Sequence, residues 1–379
     1  MTHSSSTYDV IVIGVGGMGS AAAWHLARRG CRVLGLEQFN IPHDLGSSHG
    51  QTRIIRLAYS EHPSYVPLLR RAYTLWRDIE ERAGERLLHV TGALDAGPAD
   101  DWVFQGSKDS CEEHGLPHEI LTGAEVNRRF PGYRLPEDIM AVFQTDGGYL
   151  VPERCIVAHV EAAQGEGAEI HGCEPVLDWT SDGRGITVKT ANSTYTAGRL
   201  VITAGAWIGK VVKPLDGLVQ PERQVLGWFQ PKRLDLFQPD RFPVFNIQVA
   251  EGRYYGLPVH GVSGFKIGRY HHLDEQIDMD RIDRSTHPRD EAVLRAFAER
   301  YFPNGSGPTT SLQVCAFTNT SDGHFILDAH PEYGNVFVAS PCSGHGFKFC
   351  SVIGEVMADL ATTGETSHDI ALHGLARFA

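Results

Sequence analysis

Gly14, Gly16 and Gly19 stand in the run GVGGMG at the spacing G-x-G-x-x-G, and Glu37 follows at the end of the next apolar stretch. That set suits a pyrophosphate. The first glycine permits a tight turn, the second a close backbone approach, and the third tight packing of the following helix on its strand. A carboxylate at Glu37 can accept from ribose hydroxyls and disfavours a 2′-phosphate. Arg53 and Arg56 follow a small-residue loop, Gly46–Gly50, and share a face if their segment is helical. Cys315, in SLQVCAFTNT, has no second cysteine or histidine close by. Its spacing reads most simply as a small core side chain; bonding to a ligand is the other possibility.

The elements that would position these residues are legible. Val10 to Ile13 form an apolar run fit for a strand buried on both faces, and Ser20 to Arg29 take a helical period that Gly30 stops. A second strand is expected from Arg32 to Leu36, ending at Glu37. With strand, helix and acid all in place, the glycine motif predicts dinucleotide binding, but it does not choose between NAD and FAD. Tyr65 to Arg82 reads as an amphipathic helix with Val66, Leu69, Tyr73, Trp76 and Ile79 inward. Near the C-terminus the pattern repeats, with a strand at Val336–Ala339, the turn SGHGFK and a helix at Phe349–Leu360.

A chain of 379 residues with 42% hydrophobic and 21% charged content is expected to form two globular domains. A net charge of -12 argues against nucleic acid as a partner. No apolar run is long enough for a membrane span, and the N-terminus lacks a signal-peptide pattern. The 7 cysteines, at 31, 111, 155, 173, 315, 342 and 350, show no zinc or redox spacing. A cytoplasmic protein with free thiols and no metal is therefore expected.

The strings GVGGMG, GSSHGQTRIIRLAY, YVPLLRRAYTLW, VITAGAW, YYGLP, GFKIG, CAFTNTSDGHFILD and SGHGFKFCSVIGE carry a specific resemblance. The chain resembles the monomeric sarcosine oxidase family, which includes N-methyltryptophan oxidase, among the D-amino-acid-oxidase-like flavoproteins. The match runs from residue 8 to about 374. It implies FAD and an α/β fold: a Rossmann-like FAD-binding domain of glutathione-reductase type, interleaved with an α+β catalytic domain on a mixed sheet. The implied FAD-binding segments are 8–90, 150–225 and 325–379, with 91–149 and 226–324 forming the catalytic domain.

The resemblance also assigns roles. Cys315 is the implied attachment point of the flavin, through sulfur to the 8α-methyl. Lys266 promotes reaction with oxygen, where a fixed cation stabilises developing negative charge. Arg56 and Lys348 hold the substrate carboxylate. Ser47, His49, Arg53, Val176, Gly344 and Gly346 contact the cofactor with the glycine motif, Glu37 and Lys348, while Asn246, Tyr255, Tyr270, Phe317 and His345 line the substrate pocket. The implied reaction moves a hydride equivalent from the carbon beside nitrogen of an anionic secondary amine to flavin N5. Imine hydrolysis and oxidation by O2 to hydrogen peroxide complete it, and the enzyme is expected to be a monomer. The sarcosine-oxidising pattern has methionine, histidine and tyrosine where this chain has Asn246, Tyr270 and Phe317, and aspartate in place of Gln51. Larger N-substituted, cyclic imino and N-fructosyl (Amadori) acids are thus alternative substrates, and a dehydrogenase with another acceptor is an alternative activity.

Overall fold

The computed structural model describes residues 7–341 and 343–378, so Cys342 lies outside the described residues. The apolar run becomes the strand Thr7–Ile13, with Val10, Ile11, Val12 and Ile13 all buried. It pairs in parallel with Val33–Leu36 on one side and Thr194–Ile202 on the other. Glu169–His171 and Val336–Ser340 extend the parallel array outward. Near its start, Thr194–Ile202 also pairs antiparallel with Ile186–Thr190, which carries Val176–Ser181. Its later residues exchange that neighbour for Val336–Ser340, which carries Ile326–Ala329.

Helix Gly17–Ala27 is buried almost all round, as its Ala-rich sequence requires, between Pro152–Gly165 and Cys350–Thr363. Contact with the last helix is nearly backbone to backbone. A Cβ on Gly354 would lie 2.5 Å from the Ala21 carbonyl carbon. The amphipathic helix runs Tyr65–Ala83 and ends at Gly84 in the left-handed region, φ 63. Its buried face holds Val66, Leu69, Trp76 and Ile79, with Tyr73 half-buried.

A second eight-stranded sheet runs Thr309–Thr320, Val219–Phe229, Phe265–Arg269, Gly252–Leu257, Val244–Val249, Ala93–Pro98, Ile139–Gln144, Glu119–Thr122. It is mixed, since Val244–Val249 pairs in parallel with Ala93–Pro98 while its other pairs are antiparallel. A phenylalanine-rich core fills one face, with Phe229, Phe237, Phe242, Phe265 and Phe302 fully buried. Val219–Phe229 lies in this sheet as one strand, so residue 225 falls inside it. Among the described residues no helix is long and apolar enough to cross a membrane.

The segment carrying Arg53 and Arg56 is not helical. Arg53–Ile55 is a strand paired antiparallel with Gly148–Leu150. Adjacent β-branched Ile54 and Ile55 favour that pairing. With a period of two, positions three apart face opposite ways, and the two arginines go to different partners.

Candidate active site

The glycine loop and the ends of the parallel strands border a cleft of about 780 Å³ lined by Gly14, Gly16, Glu37, Ser47 and Val176, among others. Gly14 has φ +87, and a Cβ there would meet the Thr203 carbonyl at 2.7 Å. Gly19 is more constrained still, because its Cβ would lie 1.8 Å from the Gly14 carbonyl oxygen. A Cβ on Gly16 would meet nothing within 4 Å. Protein packing therefore explains two of the glycines and leaves the third to whatever occupies the cleft.

Helix Gly17–Ala27 begins there with no side-chain cap and no acid in its first turn, so its N-terminal amides remain for an anion. Glu37 is buried and accepts from the amides of Val15 at 2.9 Å and Phe39 at 3.1 Å. Those bonds hold its carboxylate at the cleft wall.

Ser47 and Met18 line both this cleft and an adjoining cavity, whose wall includes Arg53, Tyr255, Tyr270, Cys315, Phe317, Gly344, His345, Gly346 and Lys348. The Ser47 hydroxyl and both ring nitrogens of His49 are buried and have no hydrogen-bond partner among the described residues. Burial, with Arg53 and Lys266 nearby, pushes His49 down to about 3, so the ring is neutral. Such orphaned groups fit a ligand that brings its own donors and acceptors.

Cys315 sits on Thr309–Thr320 opposite Gln224, 3% exposed. The Arg53 guanidinium, which donates to the Ser47 carbonyl at 2.9 Å, lies 3.6 Å from its sulfur. Gly344 (φ +78) packs over Phe317, where a Cβ would come within 2.6 Å of the ring.

Lys266 lies on Phe265–Arg269, as the alternation in GFKIG suggests. Its ammonium donates to the Gly50 and Thr52 carbonyls at 2.7 Å each. Glu153, in the first turn of Pro152–Gly165, accepts from the amides of Gly50 and Gln51 and fixes the same loop from the other side. Burial and Arg53 hold Lys266 well below the ordinary lysine range.

Lys348 donates to the His345 carbonyl at 2.6 Å, and Trp76 donates to the Lys348 carbonyl at 2.9 Å, so the amphipathic helix buttresses this turn. Burial, then Arg56 and Arg253, lower Lys348 to about 7. His345 accepts or donates at Nδ1 with the Tyr59 hydroxyl at 2.6 Å, and burial lowers it to about 3.

Arg56 takes a different setting. It pairs with Glu61 at 3.0 Å and Asp95 at 3.2 Å and lies over the Tyr59 ring at 4.6 Å. Burial opposes its charge, but Asp95 and Glu61 outweigh that and raise it above the usual arginine range. Asn246 donates to Asp95 at 2.9 Å and accepts from Arg253 at 2.7 Å. Arg253 also donates to Glu61 at 2.8 Å and lies 3.9 Å from the Tyr270 ring centroid. Glu61, Asp95, Arg253 and Glu153 have no local sequence signature that singles them out. Among the described residues, Glu222, His271 and Asp274 approach one another closely enough to hold a metal, yet Glu222 is buried and already accepts from Gln224 and Asn319.

Comparison with known proteins identifies the family. A family model described as FAD dependent oxidoreductase matches residues 9–360. Monomeric sarcosine oxidase of Bacillus sp. (strain NS-129) is 42% identical over 380 residues, covering 99% of this chain and 98% of that protein. N-methyl-L-tryptophan oxidase of Yersinia pestis (strain Pestoides F) is 34% identical, covering 98% and 99%. The open form of NikD, an unusual amino acid oxidase essential for nikkomycin biosynthesis, superposes with a TM-score of 0.85 at 24% identity, covering 98% of each chain. The chain belongs to the FAD-dependent oxidoreductase family, alongside the monomeric sarcosine oxidases and N-methyl-L-tryptophan oxidases.

Proposed function

We propose that the protein is an FAD-dependent oxidase of a secondary amino acid, N-methyl or N-alkyl, with Cys315 as the covalent attachment point of the flavin. The observation that carries this reading is the junction of two spaces at Met18 and Ser47: a nucleotide cleft, and a cavity walled by Cys315, aromatic rings and the buried ammonium of Lys348. In this reading the FAD-binding unit comprises 8–90, 150–225 and 325–379 and the catalytic unit 91–149 and 226–324, the strand Val219–Phe229 carrying the chain from one into the mixed sheet of the other. The enzyme works as a cytoplasmic monomer on a small anionic amine and oxygen, without a metal.

Gly14, Gly16 and the amides opening helix Gly17–Ala27 would hold the pyrophosphate, Glu37 the ribose, and Ser47, His49 and Arg53 the ring system. When bound, FAD supplies the two-electron acceptor and the centre at which oxygen is reduced to hydrogen peroxide. Arg53 sets a positive charge beside the Cys315 sulfur, the setting in which a thiolate attacks. Lys348 presents a cation to the substrate carboxylate, and Arg56, the second cation assigned to that role, stands behind it in ion pairs with Glu61 and Asp95. Tyr255, Tyr270 and Phe317 exclude water and shape the space left for the N-substituent. Lys266, fixed by two carbonyls, supplies charge or a proton to reduced oxygen.

A second substrate class, N-fructosyl or cyclic imino acids, is favoured by the polar Asn246–Arg253 pair behind Tyr270. The test is peroxide release from N-methyl, cyclic and N-fructosyl amino acids, run beside reduction of an artificial electron acceptor. Peroxide from N-methyl acids at rates matching the artificial acceptor supports the proposal. Rapid acceptor reduction with negligible peroxide would make the protein a dehydrogenase.

A further inference from the structure

The turn that leads from the small-residue loop into the strand Arg53–Ile55 is built against the preference of its central residue. The Thr52 amide donates to the Gly50 carbonyl at 2.8 Å, closing three residues with Gln51 at φ 68. That hydrogen bond and that φ are those of a γ-turn with positive φ, a rare and strained conformation. Glycine, asparagine and aspartate enter the left-handed region readily, whereas glutamine populates it about 5- to 30-fold less. Gly50 beside it, at φ +94, has no room for a side chain. A Cβ there would lie 2.5 Å from Leu226 Cδ1 and 3.5 Å from the Lys266 ammonium nitrogen.

Two side chains grip this turn from opposite sides. Glu153 Oε1 accepts from the amides of Gly50 at 2.7 Å and Gln51 at 3.0 Å. Lys266 Nζ donates to the Gly50 and Thr52 carbonyls at 2.7 Å each. Lys266 is 1% exposed, and its third N–H reaches no nearer than the Thr52 hydroxyl at 3.5 Å. Two of the three ammonium hydrogens are thus committed to the turn, and the shape of the turn sets where the third points. Thr52 and Arg53, next along the chain, border the cavity that holds Cys315.

Resting on the oxidase reading above, in which Lys266 serves the reduction of oxygen, we propose that Glu153 is a positioning residue for that step. Its carboxylate holds Gly50–Thr52 in the strained turn, and the carbonyls of the turn hold the ammonium. In the step served, oxygen takes two electrons from the reduced flavin and two protons, and leaves as hydrogen peroxide. Glu153 touches none of the reacting atoms. A carboxylate in the first turn of a helix is often no more than a complement to the helix dipole. Glu153 goes further, because it leaves its own helix to bind two amides of another segment. It also acts through space, since burial and Arg53 disfavour the charge on Lys266 and Glu153 favours it. Strain kept by an outside clamp beside a buried cation is the mark of a functional turn.

The test compares Glu153→Ala with Glu153→Gln in the flavin-loaded enzyme, with Lys266→Met as the reference. Hydrogen exchange across residues 50–52, read by mass spectrometry, reports on the turn apart from any turnover. Glu153→Ala removes the acceptor, so exchange there should quicken by about 10-fold or more. The amide oxygen of glutamine can accept from the same two N–H groups, so Glu153→Gln should recover most of that protection. Stopped-flow then resolves the half-reactions. In Glu153→Ala, reoxidation by oxygen should slow by about 10-fold, within the range set by the strain, while reduction by an N-methyl amino acid changes little. Glu153→Gln should again recover most of the loss. Adding Gln51→Gly to Glu153→Ala supplies a residue that takes positive φ freely, and reoxidation should rise back toward the unmutated rate.

Unchanged exchange across 50–52 in Glu153→Ala would overturn the proposal. So would reduction and reoxidation falling together, because damage to folding or flavin binding slows both. A Glu153→Gln variant as slow as Glu153→Ala would overturn it as well, leaving charge alone as the role of the carboxylate. A double variant no faster than Glu153→Ala would count against it equally, since strain in the turn is what the clamp opposes. If Lys266→Met reoxidises as fast as the unmutated enzyme, the oxygen role given to Lys266 fails and this inference with it. A slow Lys266→Met beside an unchanged Glu153→Ala sinks the inference alone.

Discussion

Replacing Gly16 or Gly19 by alanine separates a glycine kept for a ligand from one kept for packing. A Cβ on Gly19 would lie 1.8 Å from the Gly14 carbonyl oxygen and 2.6 Å from the Thr203 hydroxyl, both fixed by the central strands. Neither can yield without shifting helix Gly17–Ala27 off its sheet, so Gly19→Ala should destabilise the apoprotein by about 1–3 kcal/mol or more. Gly16 has φ -79, ordinary for alanine, and its Cβ would meet nothing within 4 Å. Restricting the unfolded chain gains a little and the poorer helix cap loses a little, so Gly16→Ala should change stability by only about 0.5 kcal/mol. Its methyl group enters the space where the pyrophosphate would approach. Losing a charge-assisted hydrogen bond there removes about 1.5–3 kcal/mol, or about 10- to 150-fold in affinity. The assay is urea unfolding of apoprotein by circular dichroism, paired with FAD titration by fluorescence quenching in a Cys315→Ala background. If Gly16→Ala unfolds as readily as Gly19→Ala, or binds FAD unchanged, the division of labour inferred for the loop is wrong.

Other consequences can be checked as directly. After denaturation of the unmutated protein, flavin fluorescence should stay with the polypeptide, and Cys315→Ala should release it; free FAD from the unmutated protein would contradict attachment at that thiol. Lys266→Met should slow reoxidation by oxygen by about 100-fold or more while flavin reduction by substrate changes little, as resolved by stopped-flow of the two half-reactions. Asp290, in the first turn of helix Pro288–Tyr301, accepts two 2.9 Å bonds from Arg223 on Val219–Phe229, so Asp290→Asn should lower unfolding stability by about 3–5 kcal/mol. Burial raises that carboxyl, but the hydrogen bonds to Arg223 prevail and hold it at about 2. Its stabilisation is therefore full above the unfolded value and is lost as pH falls toward 2. Urea midpoints measured down through acid pH should show that loss in the unmutated protein and a weaker one in Asp290→Asn.

The parts of this molecule that could be read from sequence are those built by neighbours along the chain. The strand Thr7–Ile13, the glycine turn and the helix after it follow from one local pattern, and the helix at Tyr65–Ala83 from its apolar period. The strand carrying Lys266 is visible as alternation in GFKIG. Arg53 and Arg56 were harder, because three-residue spacing suits a helix face and only pairing with Gly148–Leu150 makes the segment a strand. The frame around Arg56 was not legible at all. Asp95, Asn246 and Arg253 come together across a parallel strand pair and a hairpin, and Glu61 reaches Arg253 from 192 positions away. Ordinary charged residues at such separations carry no local mark of burial. Asn246, expected at the substrate pocket, bridges Asp95 and Arg253.

The most direct test of the central claim is anaerobic mixing of the purified enzyme with N-methyl amino acids while flavin absorbance is followed. The account predicts that at least one bleaches the flavin in a single turnover, and that admitting oxygen restores the colour with one equivalent of hydrogen peroxide. A flavin that stays oxidised with every secondary amino acid offered would contradict it.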